Sequence, residues 1–154
     1  MNTRTLAIIT IALWVLTAAA VATRFIGGTT EPSADGRTAV VLPEAERAFV
    51  LMEMRQLLEA VHGIIGGVNA GDLEQVERVA RASGAAAPRS APAELMMRLP
   101  LGFKQTGMSV HQGLDEIADA AQNGESGQQI MERLHGQLGT CIGCHAAFRL
   151  TEQH

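Results

Sequence analysis

Apolar residues recur three and four positions apart in four separate stretches of this chain, and that spacing leaves little choice of fold. In the first stretch, Pro43 to Ala70, the residues Leu51, Met54, Leu58, Val61, Ile65 and Val68 make one stripe. Met52, Arg55, Gln56 and Glu59 lie on a mostly polar face. Pro43 suits a first helical position, Glu44 and Glu46 suit the positive end of the helix dipole, and Gly71 is a stop. The second stretch, Leu73 to Ala82, starts after Asp72 with Gln75 three residues on and stops at Ser83-Gly84. A connection with prolines at 88, 92 and 100 follows, with a turn of helix at Glu94–Leu99. The third stretch, Leu101 to Gln122, carries the stripe Phe103, Gly107, Val110, Leu114, Ile117 and Ala121 and ends at Asn123-Gly124. The fourth, Gly127 to Thr151, has Ser126 and Gln129 as a capping pair and the stripe Ile130, Leu134, Leu138, Cys141, His145 and Phe148. No strand alternation of useful length and no repeat is visible. Four Phe, one Trp and no Tyr make an aromatic-poor, helical core. The prediction is an all-α, antiparallel four-helix bundle forming one domain over residues 43–154.

The N-terminus reads differently. Arg4 precedes an uncharged, mostly apolar run from Leu6 to Ala22, and Ala20-Val21-Ala22 offers a signal cleavage pattern. Seventeen residues would span about 25 Å as a helix at ~1.5 Å per residue. Residues 1–24 are therefore either a cleaved signal peptide or an N-terminal signal-anchor, and either places the domain outside the cytoplasmic membrane. Residues 25–42, rich in Gly, Thr, Ser, Pro and Asp, read as a flexible linker. Net charge is −4, with no basic patch interleaved with aromatics, which argues against nucleic acid.

The chemistry is concentrated in "GTCIGCHAAFRL", residues 139–150, which holds the two cysteines, Cys141 and Cys144, and then His145. A Cys-x-x-Cys pair can be a redox dithiol, half of a zinc site, a disulfide or a haem attachment point. A structural zinc site wants four ligands, and no second pair of Cys or His has matching spacing: His62, His111, His135 and His154 stand alone. A thioredoxin-type dithiol belongs at a strand-to-helix junction, and no such context precedes this one. A disulfide within one helical turn is strained. Cys-x-x-Cys-His is the c-type haem pattern: two thiols for the two vinyl groups, with an imidazole beside them for the iron. An exported chain agrees with it.

A four-helix bundle with this motif on its last helix resembles the class II c-type cytochromes, the cytochrome c′ group. Cys141, Cys144, His145, Phe148 and Arg149 match that family's Cys-x-x-Cys-His-x-x-aromatic-Arg ending. The resemblance implies one haem c per chain, with His145 as the proximal iron ligand and the first helix over the distal face. It also implies a role in redox or gas binding rather than substrate turnover. Members of the family have either a Met sulfur on the distal side or an apolar residue that leaves the iron open to NO or CO. Arg149 is placed near the proximal ligand or a propionate. Members often carry an Arg four residues before the distal position. Here Val50 stands four before Met54, while Arg47, seven before it, could reach a propionate.

Met54, on the first apolar stripe, is the first choice of distal ligand, since a Met ligand raises the potential and suits electron transfer. His111 is the rival, with Asp115 four residues on to orient its ring. Phe148, three residues after His145, is expected to pack on the proximal side. Met52 is expected at the surface, His62 partly exposed, Met108 off the core stripe, and Met96 and Met97 in lid or core packing. The reading is a periplasm-facing electron-transfer cytochrome, not an enzyme, with an open gas-binding haem protein as the alternative. Its partners are periplasmic or membrane redox proteins carrying a basic docking patch, the membrane itself if the N-terminal segment is uncleaved, and a second copy of the chain as one assembly the reading admits.

Overall fold

The structure, a computed structural model, describes residues 2–152; Met1, Gln153 and His154, at the ends of the expected signal and haem domain, lie outside the described residues. Among the described residues are six α-helices and three short strands. Helix α1 (Thr3–Gly27) is followed by β1 (Thr30–Pro32), β2 (Thr38–Leu42), α2 (Glu44–Ala70) and α3 (Leu73–Ala82). Then come α4 (Ala93–Arg98), α5 (Leu101–Gln122), α6 (Gly127–Ala147) and β3 (Phe148–Glu152).

Local chemistry sets most of the helix ends. Asp72 accepts a hydrogen bond from the Gln75 N–H at 2.8 Å, which satisfies one of the free donors at the start of α3. Ser126 and Gln129 form a full capping box at the start of α6. Gly71, at φ +70°, closes α2 by donating to the Gly67 and Val68 carbonyls.

The helices pack around an apolar core of Ile64, Val76, Leu114, Ile117, Ile130 and Leu134, all nearly inaccessible to water. Fully burying one such side chain stabilises the fold by about 1.5–3 kcal/mol. Helices α2 and α3 approach closely through glycine: a Cβ on Gly67 would sit 2.7 Å from Val76 Cγ2, and one on Gly63 2.8 Å from Val79 Cγ1. Helix α6 runs antiparallel to α2. A Cβ on Gly127 would lie 2.9 Å from Val68 Cγ1, and at the other end Val50 and Cys144 share a second apolar cluster.

Three expectations are corrected. Residues 25–42 are not a linker: they form the last turn of α1 and two strands of a sheet ordered β1-β2-β3. Strand β1 is antiparallel to β2, and β3 runs parallel to it, from Thr38 opposite Phe148 to Leu42 opposite Glu152. Residues Ala39 to Leu42 are all buried, so no alternation marks β2 in the sequence. The fourth helix ends at Ala147, not Thr151, because Phe148 turns extended (φ −126°, ψ 152°) to enter that sheet. Finally, the most buried positions of α2 are Val50, Ala60, Ile64 and Gly67, while Leu58 is 68% exposed. Val61, Ile65 and Val68 of the expected stripe do pack against the core, but as its partly buried edge: the face is rolled toward α3, which the glycines admit, and leaves Leu58 outside.

Candidate functional site at the cysteine end of the last helix

At about 100° per residue, Cys141, Cys144 and His145 occupy an arc of about 100° on α6. Cys144 is on the inner flank, buried in the cluster of Val50, Leu95, Leu99 and Phe103. Cys141, in the middle of the arc, is half-buried. His145, on the outer flank, is exposed, and among the described residues its ring makes no hydrogen bond or ion pair. The predicted stripe turned Cys141 and His145 inward; the structure turns Cys144 inward instead and leaves His145 facing out. The roll of α6 that feeds Phe148 into β3 sets this orientation. The His145 carbonyl is occupied, accepting from Arg37 Nη1 at 3.2 Å.

Both thiols are free. Burial pushes each of them up from the ordinary thiol range, and the neighbouring Cys141 pushes Cys144 up further. They are held as neutral thiols, the opposite of the lowered thiol expected of a reactive dithiol.

Met54 joins the cysteine end to a cavity. It packs against the cluster that holds Cys144, and it lines an apolar space of about 250 Å³ between α2, α4 and the start of α5. Phe103, Lys104, Gly107, Met96, Met108 and His111 also line this space. The two rival distal ligands named from the sequence, Met54 and His111, thus face one cavity. Met52 is on the surface, as expected, and Met108 is partly exposed at the cavity wall.

His111 is buried, 7% exposed. Its Nδ1 lies 2.8 Å from the Ser83 carbonyl, which can only accept, so Nδ1 is the donor and Nε2 is the bare nitrogen of that tautomer. Asp115 does not orient it. That carboxylate takes Arg81 Nη1 at 3.1 Å and the Ala85 N–H at 2.8 Å instead.

The other candidates are dispersed. Arg47 is half-buried on α2, and its Nε is buried without a hydrogen-bond partner among the described residues. Phe148 stacks edge-on against Phe103, with ring centroids 5.5 Å apart, so it packs under the cysteine cluster from the sheet. Arg149 points to the β1–β2 turn, donating to Ser33 Oγ at 3.2 Å and lying 3.7 Å from Asp35 Oδ2. Arg37, which the sequence did not single out, is the hub of that turn: its guanidinium holds the Asp35 carboxyl below the usual carboxylate range.

The donor set fits a covalently bound haem. Two neutral thiols stand one turn apart with the inner one, Cys144, in an apolar cluster, an uncommitted imidazole follows directly, and the buried Arg47 Nε is an unpartnered donor among the described residues. Among the described residues, no group of three or more His, Cys, Asp or Glu side chains is placed to hold a metal ion by itself. No protein-family model, curated protein or solved structure matches this chain.

Proposed function

We propose that this chain is a periplasm-facing c-type cytochrome of the class II kind, an electron carrier rather than an enzyme, with one haem c on α6. The reading rests on one observation: Cys141, Cys144 and His145 share one arc of α6, with the inner thiol sunk in the apolar cluster that Met54 borders. Cys141 and Cys144 would hold the haem through thioethers and His145 would be the proximal ligand. Bound there, haem supplies one-electron redox chemistry at a potential set by its axial ligands and their surroundings. Met54 would be the distal ligand, brought to that end by the antiparallel run of α2 against α6. Val50, Leu95 and Leu99 would exclude water from a haem held there and so would favour its less charged redox state. Arg47 would meet a propionate. Packing of α2, α3, α5 and α6 around a shared core supports the four-helix-bundle part of the proposal.

The cavity favours a second reading, in which the distal side stays open and binds NO or CO. It is apolar, adjoins Met54, and has room for a diatomic molecule.

Export of the chain in a host with haem-attachment machinery, followed by visible spectroscopy, tests both. A covalent haem with a low-spin spectrum that is lost in Met54→Ala supports the carrier. A high-spin spectrum with ready CO binding in the unaltered chain supports the open site. A low-spin signal that survives Met54→Ala and disappears in His111→Ala moves the ligand to α5. Absence of covalent haem sinks both readings.

A further inference from the structure

We infer that α1 is a retained membrane span, and that it seats the corner between α4 and α5 rigidly against the bilayer surface. The inference does not depend on haem. Nineteen residues between Arg4 and Arg24 carry no charge, about 28 Å of helix at ~1.5 Å per residue, close to the ~30 Å hydrocarbon thickness. None of α1 is buried in the protein, so the whole span is available to lipid. Arg4 and Arg24 bracket it at the two interfaces, where long cationic side chains reach water.

What distinguishes this anchor is its joint. A tether would swing on a polar, Gly/Ser-type linker. Here the last turn of α1 is itself bound to the domain. Lys104, at the start of α5, donates from Nζ to the Phe25 carbonyl at 2.6 Å and to the Met96 carbonyl at 3.1 Å. The same ammonium lies 3.3 Å over the Phe25 ring. Gly28, the residue after α1, adopts φ +65°, and a Cβ there would overlap the Arg98 carbonyl oxygen and sit 2.6 Å from Pro100 N. Thr29 then donates to the Arg98 carbonyl at 2.7 Å and accepts from the Val41 N–H at 2.9 Å. Strand β1 begins at Thr30. Two residues, Gly28 and Thr29, separate the span from the sheet, and both are held by backbone hydrogen bonds.

The joint also argues for retention. A cut after Ala22 leaves Thr23–Gly27, five residues, too short to hold helical form alone. Yet that turn presents the Phe25 carbonyl and ring to Lys104. Lys104 and Met96 line the apolar cavity as well, so the joint and the candidate site share a wall at the membrane end of the domain.

The test uses the full chain in phospholipid vesicles, with nitroxides attached through ketone-bearing residues so that native cysteines are untouched. One pair, at Val21 and Ser109, reports the angle between span and domain through its distance distribution. Single labels at Leu101, beside the joint, and at Gln128, at the far end of α5 and α6, report contact with lipid through relaxation by dissolved oxygen. The expected result is a narrow Val21–Ser109 distribution, broadened several-fold by a Gly-Ser-Gly-Ser insertion after Gly27. Oxygen relaxation at Leu101 should exceed that at Gln128 several-fold. A broad distribution in the unmodified chain overturns the rigid joint. Equal relaxation at the two labels overturns the seated corner. A mature mass lacking residues 1–22 overturns retention.

Discussion

The two ends of α2 are packed in opposite styles. At its C-terminal end, Ile64 and Gly67 meet α3, α5 and α6 in a core with no room to spare, where a Cβ on Gly67 would collide with Val76 and with the Asp72 carbonyl. At its N-terminal end, Val50 and Met54 face a sheet, a short helix and a cavity of about 250 Å³, with Cys144 in the same cluster. A Cβ on Gly107, in the wall of that cavity, would meet nothing within 4 Å. Close packing holds the helices in register at one end. At the other, the chain leaves apolar space next to the cluster that holds Cys144.

Truncation should separate the two ends most clearly. Leu134→Ala, in the closed core, should cost about 3–5 kcal/mol, the range for a fully buried leucine that leaves a cavity. Met54→Ala, half-buried beside existing space, should cost about 1–2 kcal/mol from lost apolar burial. Urea unfolding of the full chain in detergent reads both; equal losses would show that the cavity end is as tightly packed as the core. Adding a methyl should show opposite signs. Gly67→Ala should destabilise by about 1–3 kcal/mol through overpacking against Val76. Gly107→Ala should stabilise by about 0.5–1 kcal/mol, since Ala is the better helix residue and nothing obstructs it. The same urea midpoints decide this, and a stabilising Gly67→Ala would break the contrast.

The thiols add a pH dependence in the haem-free chain. Burial raises both folded-state values, so the unfolded chain releases these protons first as pH rises. Their contribution is complete below the ordinary thiol range and is lost as pH climbs through the raised folded values. Melting temperatures of the haem-free chain should therefore fall more between about pH 8 and pH 10 than those of Cys141→Ser/Cys144→Ser. Parallel curves would mean that the cysteine end is wetter than the structure shows.

The same division governs what could be read from the sequence. Helices α3 and α5 were expected over Leu73–Ala82 and Leu101–Gln122, and these are the bounds observed. Caps at Asp72 and Ser126 are local, and stripes such as Val110, Leu114 and Ile117 depend on one packing surface. The sheet was not legible. Strand β2 is covered on both faces and shows no period of two, and its pairing with β3 joins residues more than a hundred positions apart. Phe148, Arg149 and Leu150 do alternate, but Phe148 also continued the helical stripe, and only the neighbouring β2 strand decides between the two. The motif Cys141, Cys144 and His145 was legible because it is contiguous: its spacing is read directly from the sequence. Its rotation was not, because β3 sets the roll of α6. The cavity, the Ser83 contact of His111 and the role of Arg37 depend on segments brought together by the fold.

The proposed covalent haem at the cavity end is checked by the mass of the chain purified after export with haem-attachment machinery. The expected result is an increase of one haem per chain, stable to acid extraction, with neither Cys141 nor Cys144 alkylatable after denaturation. A haem-free mass with two alkylatable thiols would contradict it.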